Sequence, residues 1–314
     1  MNKFARVLRE KSLESLQFLA EAAGQNWWKD LLSLWRLSGT PADRMGLRLA
    51  IRRNYFNLYS RGQSVARVRF TRAGLPYFRI HAKYVFGSDE KGDDYARLMG
   101  TEVSRSNSKA TVHYHGAKTL GKWIKQANLH TKTEKTCIDD LVAADPSIID
   151  LEMGLPSYHS RIDCVALERQ DSDLKIVFWE AKMIDDPRLR SRSDPEVIET
   201  LKKYGEYFKH QDRAEEVVKG YRSACQLLIR MRTMVSTFED RTALHPLVFE
   251  AAKENSRLSV DPIPRLVIFG AEQYQTKGNS SFHLKQLRTR LEEEKIPWVL
   301  LSNRPYTLSP PGAA

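Results

Sequence analysis

At 314 residues and 41% hydrophobic content the chain is long enough for one large domain or two ordinary ones, and its composition excludes a disordered protein. No apolar run approaches the roughly eighteen residues of a membrane span, and the opening MNKFARVLREKSLESLQFLAEAAG reads as a charged amphipathic helix rather than a signal peptide, so a cytoplasmic protein with no membrane partner is expected. The net charge of +11 is uneven: residues 1–125 hold 23 Lys/Arg against 10 Asp/Glu, whereas 126–314 hold 27 against 29.

Residues 3–37 predict two helices. Phe4, Val7, Leu8, Leu13, Leu16, Leu19 and Ala20 recur at helical spacing, and NWWKDLLSLWRL resumes it after Gly24. Trp27, Trp28 and Trp35 form a small core or an exposed stacking platform, and their alignment with Leu31 and Leu32 favours the core. Leu47, Ala50, Ile51, Tyr55 and Leu58 predict a further helix over 44–59, with Arg44, Arg48 and Arg52 in a row at i, i+4 and i+8. That row could follow a phosphate backbone or form the wet face of the helix. SVARVRF and YFRIHAKYVFG around the turn TRAGLP predict a basic hairpin carrying Arg67, Arg69, Arg79 and Lys83, either a nucleic-acid reader or a plain sheet face. Between Arg36 and Lys83 stand eleven basic residues, ten of them arginine, against the single acid Asp43. Planar guanidinium donors suit phosphate, so this stretch is a candidate polyanion footprint. Residues 88–121 read as loops around one short helix, in which His113 and His115 could ligate a metal but have no partner ligand nearby. The division expected is a basic α+β nucleic-acid-binding or accessory domain over 1–120 and a second domain over 121–314.

The second part begins with short helices ending at Asp145-Pro146, followed by the strand SIIDLEMG and the turn LPSYHS. Two strands come next, then helices from Pro195 and from Arg213, the strand PRLVIFGA, the helix FHLKQLRTRLEEEK and the strand IPWVLL. The order α-β-β-β-α-α-β-α-β predicts an α/β fold with a mixed central sheet flanked by helices. Cys137, Cys164 and Cys225 are widely spaced without a CxxC, which fits reduced thiols rather than disulfides or a zinc site.

Chemistry concentrates in RIDCVALERQDSDLKIVFWEAK, residues 161–182. Two apolar runs flank a charged turn, the pattern of a hairpin. Asp163 opens the first strand in apolar company, while Glu180 and Lys182 close the second. Alternation along a strand puts Glu180 and Lys182 on one face, about 6–7 Å apart, with Ala181 on the other. Hard carboxylate oxygens beside an ammonium suit a divalent metal with a phosphate or water next to it.

Asp163, then after sixteen residues Glu180-Ala181-Lys182, resembles the PD-(D/E)XK superfamily of metal-dependent nucleases. The succession of elements over 130–305, a little over half the chain, resembles its restriction-endonuclease-like core. The resemblance implies that Asp163 and Glu180 hold Mg²⁺ (or Mn²⁺ in its place), with the Ala181 carbonyl in reach, and that Lys182 orients or deprotonates the attacking water. Ile162 stands where the family's proline is usual. The resemblance further implies a glutamate on the first helix: Glu134 is preferred and Glu152 is the rival. Of the Gln-x-x-x-Tyr found in RecB-like members, Tyr204 is present and Thr200 replaces the glutamine. Arg161, Arg188, Arg190 and Arg192 flank the motif and could grip neighbouring phosphates or solvate their loop.

The function expected is Mg²⁺-dependent hydrolysis of DNA phosphodiester bonds, endo- or exonucleolytic, in restriction, repair or anti-phage defence. The alternatives are an RNA- or structure-specific nuclease and, from another class, a non-catalytic nucleic-acid-binding or sensor protein on a nuclease scaffold. A double-strand cut by one active site ordinarily takes two protomers, which makes a homodimer an option.

Overall fold

Every residue is described by the computed structural model except 1–2, 41–44, 88–93, 106–110, 157, 159, 191–194, 237–242, 271–277, 303 and 309–314. Residues 3–9 lie outside any helix, so the first predicted helix is shorter than its apolar pattern. It is α1 (Glu10–Glu21), followed by α2 (Trp27–Leu34), where the Asn26 side-chain oxygen accepts from the Trp28 and Lys29 amides as an N-cap. The chain then runs through seven antiparallel strands in simple spatial order: β1 (Arg48–Arg52), β2 (Tyr55–Ser60), β3 (Gln63–Phe70), β4 (Pro76–His81), β5 (Tyr95–Met99), β6 (Glu102–Ser104) and β7 (Thr111–His113).

This half of the chain overturns three expectations. The helix expected over 44–59 is instead the β1–β2 hairpin. Both strands are largely buried on both faces, which erases the alternation of a half-exposed strand and leaves a run that a helical stripe fits as well. Arg53 and Asn54 make the turn, Asn54 with a φ of 60°, a left-handed conformation that asparagine tolerates. Residues 88–121, expected as loops, contain β5, β6 and β7. Where β4 was expected to run on, Ala82–Phe86 forms the short helix α3 instead. One face of the sheet packs on α1, α2 and α4 (Ala117–Asn128). There Trp28 is fully buried and stacks on Phe56, and Trp27 stacks on Phe78, at 6.1 and 5.9 Å between centroids, so the tryptophans serve the core.

The second half follows the expected order closely. After α5 (Thr133–Ala144) come β8 (Ile148–Gly154), β9 (Arg161–Gln170) and β10 (Asp173–Met183), then α6 (Glu196–Lys209) and α7 (Gln211–Ser236). The helix α8 (Pro246–Ala251) and the strand β11 (Leu258–Val260) were not foreseen. The chain closes with β12 (Arg265–Phe269), α9 (Gly278–Glu293) and β13 (Trp298–Leu301). The sheet order is β13-β12-β10-β9-β8, with β11 also paired to β10. The β8–β9–β10 ladders are antiparallel and those of β10 with β11, β10 with β12 and β12 with β13 parallel, so the sheet is mixed. Strand β10 is buried on both faces. Val177, Trp179 and Ala181 pack with Cys137, Ile138, Leu141 and Val142 of α5. Ile176 and Phe178 belong to the core on the other side, where Phe178 stacks on Phe208 of α6 at 4.0 Å.

The two sheets meet through buried charge as well as apolar packing. Asp150 of β8 accepts from Arg52 Nη1 of β1 at 2.6 Å, Arg6 Nε at 3.2 Å and the Tyr221 hydroxyl of α7 at 3.0 Å. Burial alone would raise this carboxyl, but the Arg52 and Arg6 guanidiniums outweigh it and hold it below the ordinary carboxylate range. Arg48 makes a second bridge, to Asp139 of α5 at 3.3 Å. The expected division at 120/121 falls inside α4, and one apolar cluster draws on Phe56 and Phe78 as well as Phe178 and Tyr221. No helix among the described residues is long and apolar enough to cross a membrane.

Candidate active site

The β9–β10 ladder ends at the pair Cys164–Trp179, so Asp163 and Glu180 occupy the next positions, side by side at the strand ends. Beyond that point β10 stays paired to β12, Glu180 beside Leu266 and Lys182 beside Ile268, which carries the two charged residues on a rigid central strand. Glu180 and Lys182 continue the row of Ile176 and Phe178, while Ala181 enters the opposite core. Their relative exposures are only 6% and 3%. At that depth an unpaired charge is expensive, and the three ionisable groups offset one another in part. Lys182 Nζ donates to Glu180 Oε1 at 2.5 Å and to the Ala181 carbonyl at 2.6 Å, and lies 3.7 Å from Asp163 Oδ2. Asp163 Oδ2 also accepts from the Ala181 amide at 2.8 Å.

The electrostatics follow from that crowding. Burial and then the neighbouring Glu180 charge push the Asp163 carboxyl well above its ordinary range, against the pull of Lys182 and the Ala181 amide. Burial likewise raises Glu180, opposed by Lys182. A desolvated lysine on its own would titrate below its ordinary range. Burial does work in that direction, but Asp163 and Glu180 outweigh it and hold the ammonium above the ordinary lysine range.

Both candidates for a third carboxylate lie near. Glu134, in the first turn of α5, is close enough for its charge to act on Glu180, Lys182 and Arg188. Glu152 acts on Asp163 but is engaged elsewhere: its carboxylate is 3.1 Å from Lys135 Nζ and 3.6 Å from Arg161 Nη1, and its backbone is left-handed at φ 50°. Tyr204 is buried on α6, its hydroxyl raised by burial and by the charges of Glu180 and Asp163. Arg188 is turned onto Asp186, Nε to Oδ1 at 2.9 Å. Arg190 follows it at the end of the 3-10 turn Pro187–Leu189, and Arg192 lies outside the described residues.

The arginines expected to bind nucleic acid divide in two. Arg48 and Arg52 are not on a solvent-facing helix. They are buried on β1, 3% and 7% exposed, and committed to Asp139 and Asp150. Arg44 lies outside the described residues. Arg67, Arg69 and Arg79 do share one sheet face, the one turned away from the helices. Arg67 is directly opposite Arg79 on β4, and Arg79 is directly opposite Arg97 on β5, a residue that the reading of 88–121 as loops missed. Tyrosines interleave with them: Arg67 lies 4.1 Å over Tyr95, Arg69 5.2 Å over Tyr55 and Arg97 4.3 Å over Tyr77. Lys83 sits apart on α3, its ammonium 4.9 Å from the Tyr84 ring. His113 and His115 are 6.0 Å apart between ring centroids, with Glu102 3.9 Å from His113.

A divalent cation would find hard oxygen donors in Asp163 and Glu180. Glu180 Oε2 is buried with no hydrogen-bond partner among the described residues, and the Glu180 charge raises Asp163 as that of Glu134 raises Glu180, both of which a cation would relieve. Among the described residues no three His, Cys, Asp or Glu side chains are drawn tightly enough together to hold a metal, and the Lys182 ammonium stands beside both carboxylates. The oxygen donors of Asp163 and Glu180 are of the kind a divalent cation takes, and Glu134 is the further carboxylate whose charge reaches Glu180. No family model, curated protein or solved structure matches the chain.

Proposed function

We propose that the chain is a divalent-metal-dependent nuclease hydrolysing DNA phosphodiester bonds, built on a restriction-endonuclease-like core of the PD-(D/E)XK kind. One observation carries the reading: the half-buried Asp163 and the buried Glu180 and Lys182, two carboxylates and an ammonium where apolar residues would be cheaper, meet at neighbouring strand ends with Lys182 Nζ within 4 Å of both acids. A purely structural ion-pair cluster has no need of a second carboxylate that is pushed well above its ordinary range. Asp163, Glu180 and Glu134 would hold the Mg²⁺, which supplies Lewis-acid polarisation of a phosphate and a more acidic bound water. Lys182 keeps its proton at neutral pH, and its ammonium is the group able to orient a water or offset charge on a phosphate oxygen. The Arg67–Arg79–Arg97 row offers sequence-independent contact to the backbone of the substrate.

The test is incubation of the purified protein with supercoiled plasmid, linear duplex, single strands and RNA, in Mg²⁺, Mn²⁺ or EDTA, beside Glu180→Ala and Lys182→Ala. DNA cleavage in metal that is lost in EDTA, and reduced about 100-fold or more in either variant, is expected. Cleavage that survives Glu180→Ala would remove the site assignment. Hydrolysis confined to RNA would move the substrate, and salt-dependent binding without hydrolysis would assign a non-catalytic role.

A further inference from the structure

Between residues 3–6, the β1–β3 end of the first sheet and the connection from β8 to β9 lies a cavity of about 340 Å³. Its lining carries six cations, Lys3, Arg6, Arg52, Arg53, Arg67 and Arg161, against the single carboxylate Glu152, which is already engaged by Lys135 and Arg161. The deepest of these cations is incomplete. The Arg6 side chain is 6% exposed; its Nε donates to Asp150 and its Nη1 to the Ala5 carbonyl, while the buried Nη2 has no hydrogen-bond partner among the described residues. A buried donor without an acceptor is destabilising, so what this cavity calls for is an acceptor oxygen carrying negative charge. Tyr55, Tyr59 and Asn57 complete the wall, adding ring surface and an amide. The volume lies in the range of small-molecule pockets and exceeds what an inorganic phosphate fills. The mouth is not isolated: Arg67 and Tyr55 belong to the arginine–tyrosine face of the first sheet, and Arg161 stands two residues before Asp163.

We propose that this cavity binds a nucleoside phosphate, its phosphate on the guanidiniums and its base against the tyrosine rings, as a free nucleotide or as the terminal residue of a strand lying along the arginine row. The site is separate from the Asp163–Glu180–Lys182 cluster and does not depend on hydrolysis there.

The experiment is calorimetric titration of the full chain in EDTA, so that cleavage plays no part, with adenosine, inorganic phosphate, AMP and a pair of oligonucleotides of one sequence with a 5′-phosphate or a 5′-hydroxyl. Arg53→Gln and Arg67→Gln are compared with wild type; neither residue is fully buried, and unchanged circular dichroism and melting confirm their folding. AMP is expected to bind at least about tenfold more tightly than either adenosine or phosphate, and about tenfold more weakly in each variant. A 5′-phosphorylated strand that outcompetes both AMP and its 5′-hydroxyl counterpart identifies a strand end as the source, and AMP binding without that preference identifies a free nucleotide. Binding of AMP no tighter than that of adenosine or of phosphate, or undiminished in both variants, overturns the proposal. A failure here leaves the nuclease assay untouched, and a failure of that assay leaves this titration interpretable.

Discussion

Lys182 stands at 2.5 Å from one carboxylate and 3.7 Å from another, and without it two desolvated acids would face each other at the strand ends. Even so, Asp163 remains well above its ordinary range, so the metal-free fold is working against a charge it would rather protonate. A carboxyl raised in the folded state contributes stability below its unfolded pKa and loses that contribution as pH rises through the folded value. Acidifying the metal-free protein from neutrality toward about pH 4 should therefore first raise its melting temperature. Asp163→Asn should abolish cleavage yet stabilise the protein in EDTA at neutral pH by on the order of 1 kcal/mol, and flatten that pH response. Calorimetry at several pH values checks it, and a destabilised variant would mean that Asp163 is needed as the counter-ion of Lys182. The positions of Asp163, Glu180 and Lys182 were legible in the sequence because acids rarely stand at the ends of runs such as CVAL and IVFW. The direction of the Lys182 shift was not, since it depends on how two carboxylates on different strands approach one ammonium.

At the scale of the element, the row Arg67–Arg79–Arg97 crosses three strands on one face, each guanidinium lying over a tyrosine ring. Stacking orients the planar donors, and Arg79 Nη2 also donates to the Tyr95 carbonyl at 2.9 Å. Replacing all three by glutamine should weaken binding to DNA at low salt and flatten the logarithmic salt dependence by roughly two to three units, close to one for each phosphate no longer neutralised. Unchanged affinity and slope in a filter-binding series would reduce the face to a solvated surface. Here sequence reading succeeded where a strand is exposed on one side: SVARVRF alternates and was read as β. It failed for residues 44–59, because a strand buried on both sides shows no alternation. Arg48 and Arg52, four apart, then looked like one helical stripe. On a strand that same spacing also puts them on one face, and that face turns inward to Asp139 and Asp150.

At the scale of the whole molecule, Asp150 ties together residues 6, 52 and 221, and nothing in the sequence marks those four positions as neighbours. Its carboxyl is lowered in the folded state, so its contribution to stability is complete above the unfolded value near pH 4 and is lost as pH falls through the lower folded one. Acid unfolding should therefore steepen below about pH 4, and Asp150→Asn should remove that part of the slope. The same variant leaves Arg52 and Arg6 buried without a counter-charge, at a cost of about 3–5 kcal/mol in urea unfolding at pH 7. A shallow loss would show that water reaches the guanidiniums. The carboxylate also bears on inheritance. It sits on the sheet that carries Asp163 and Glu180, while both of its cations come from the first 52 residues, so neither half can be exchanged for a foreign counterpart unless the replacement delivers two guanidiniums to the same spot. Recombination that shuffles the first sheet onto a new second sheet would here have to carry Arg6, Arg52 and Asp150 as a single unit of descent.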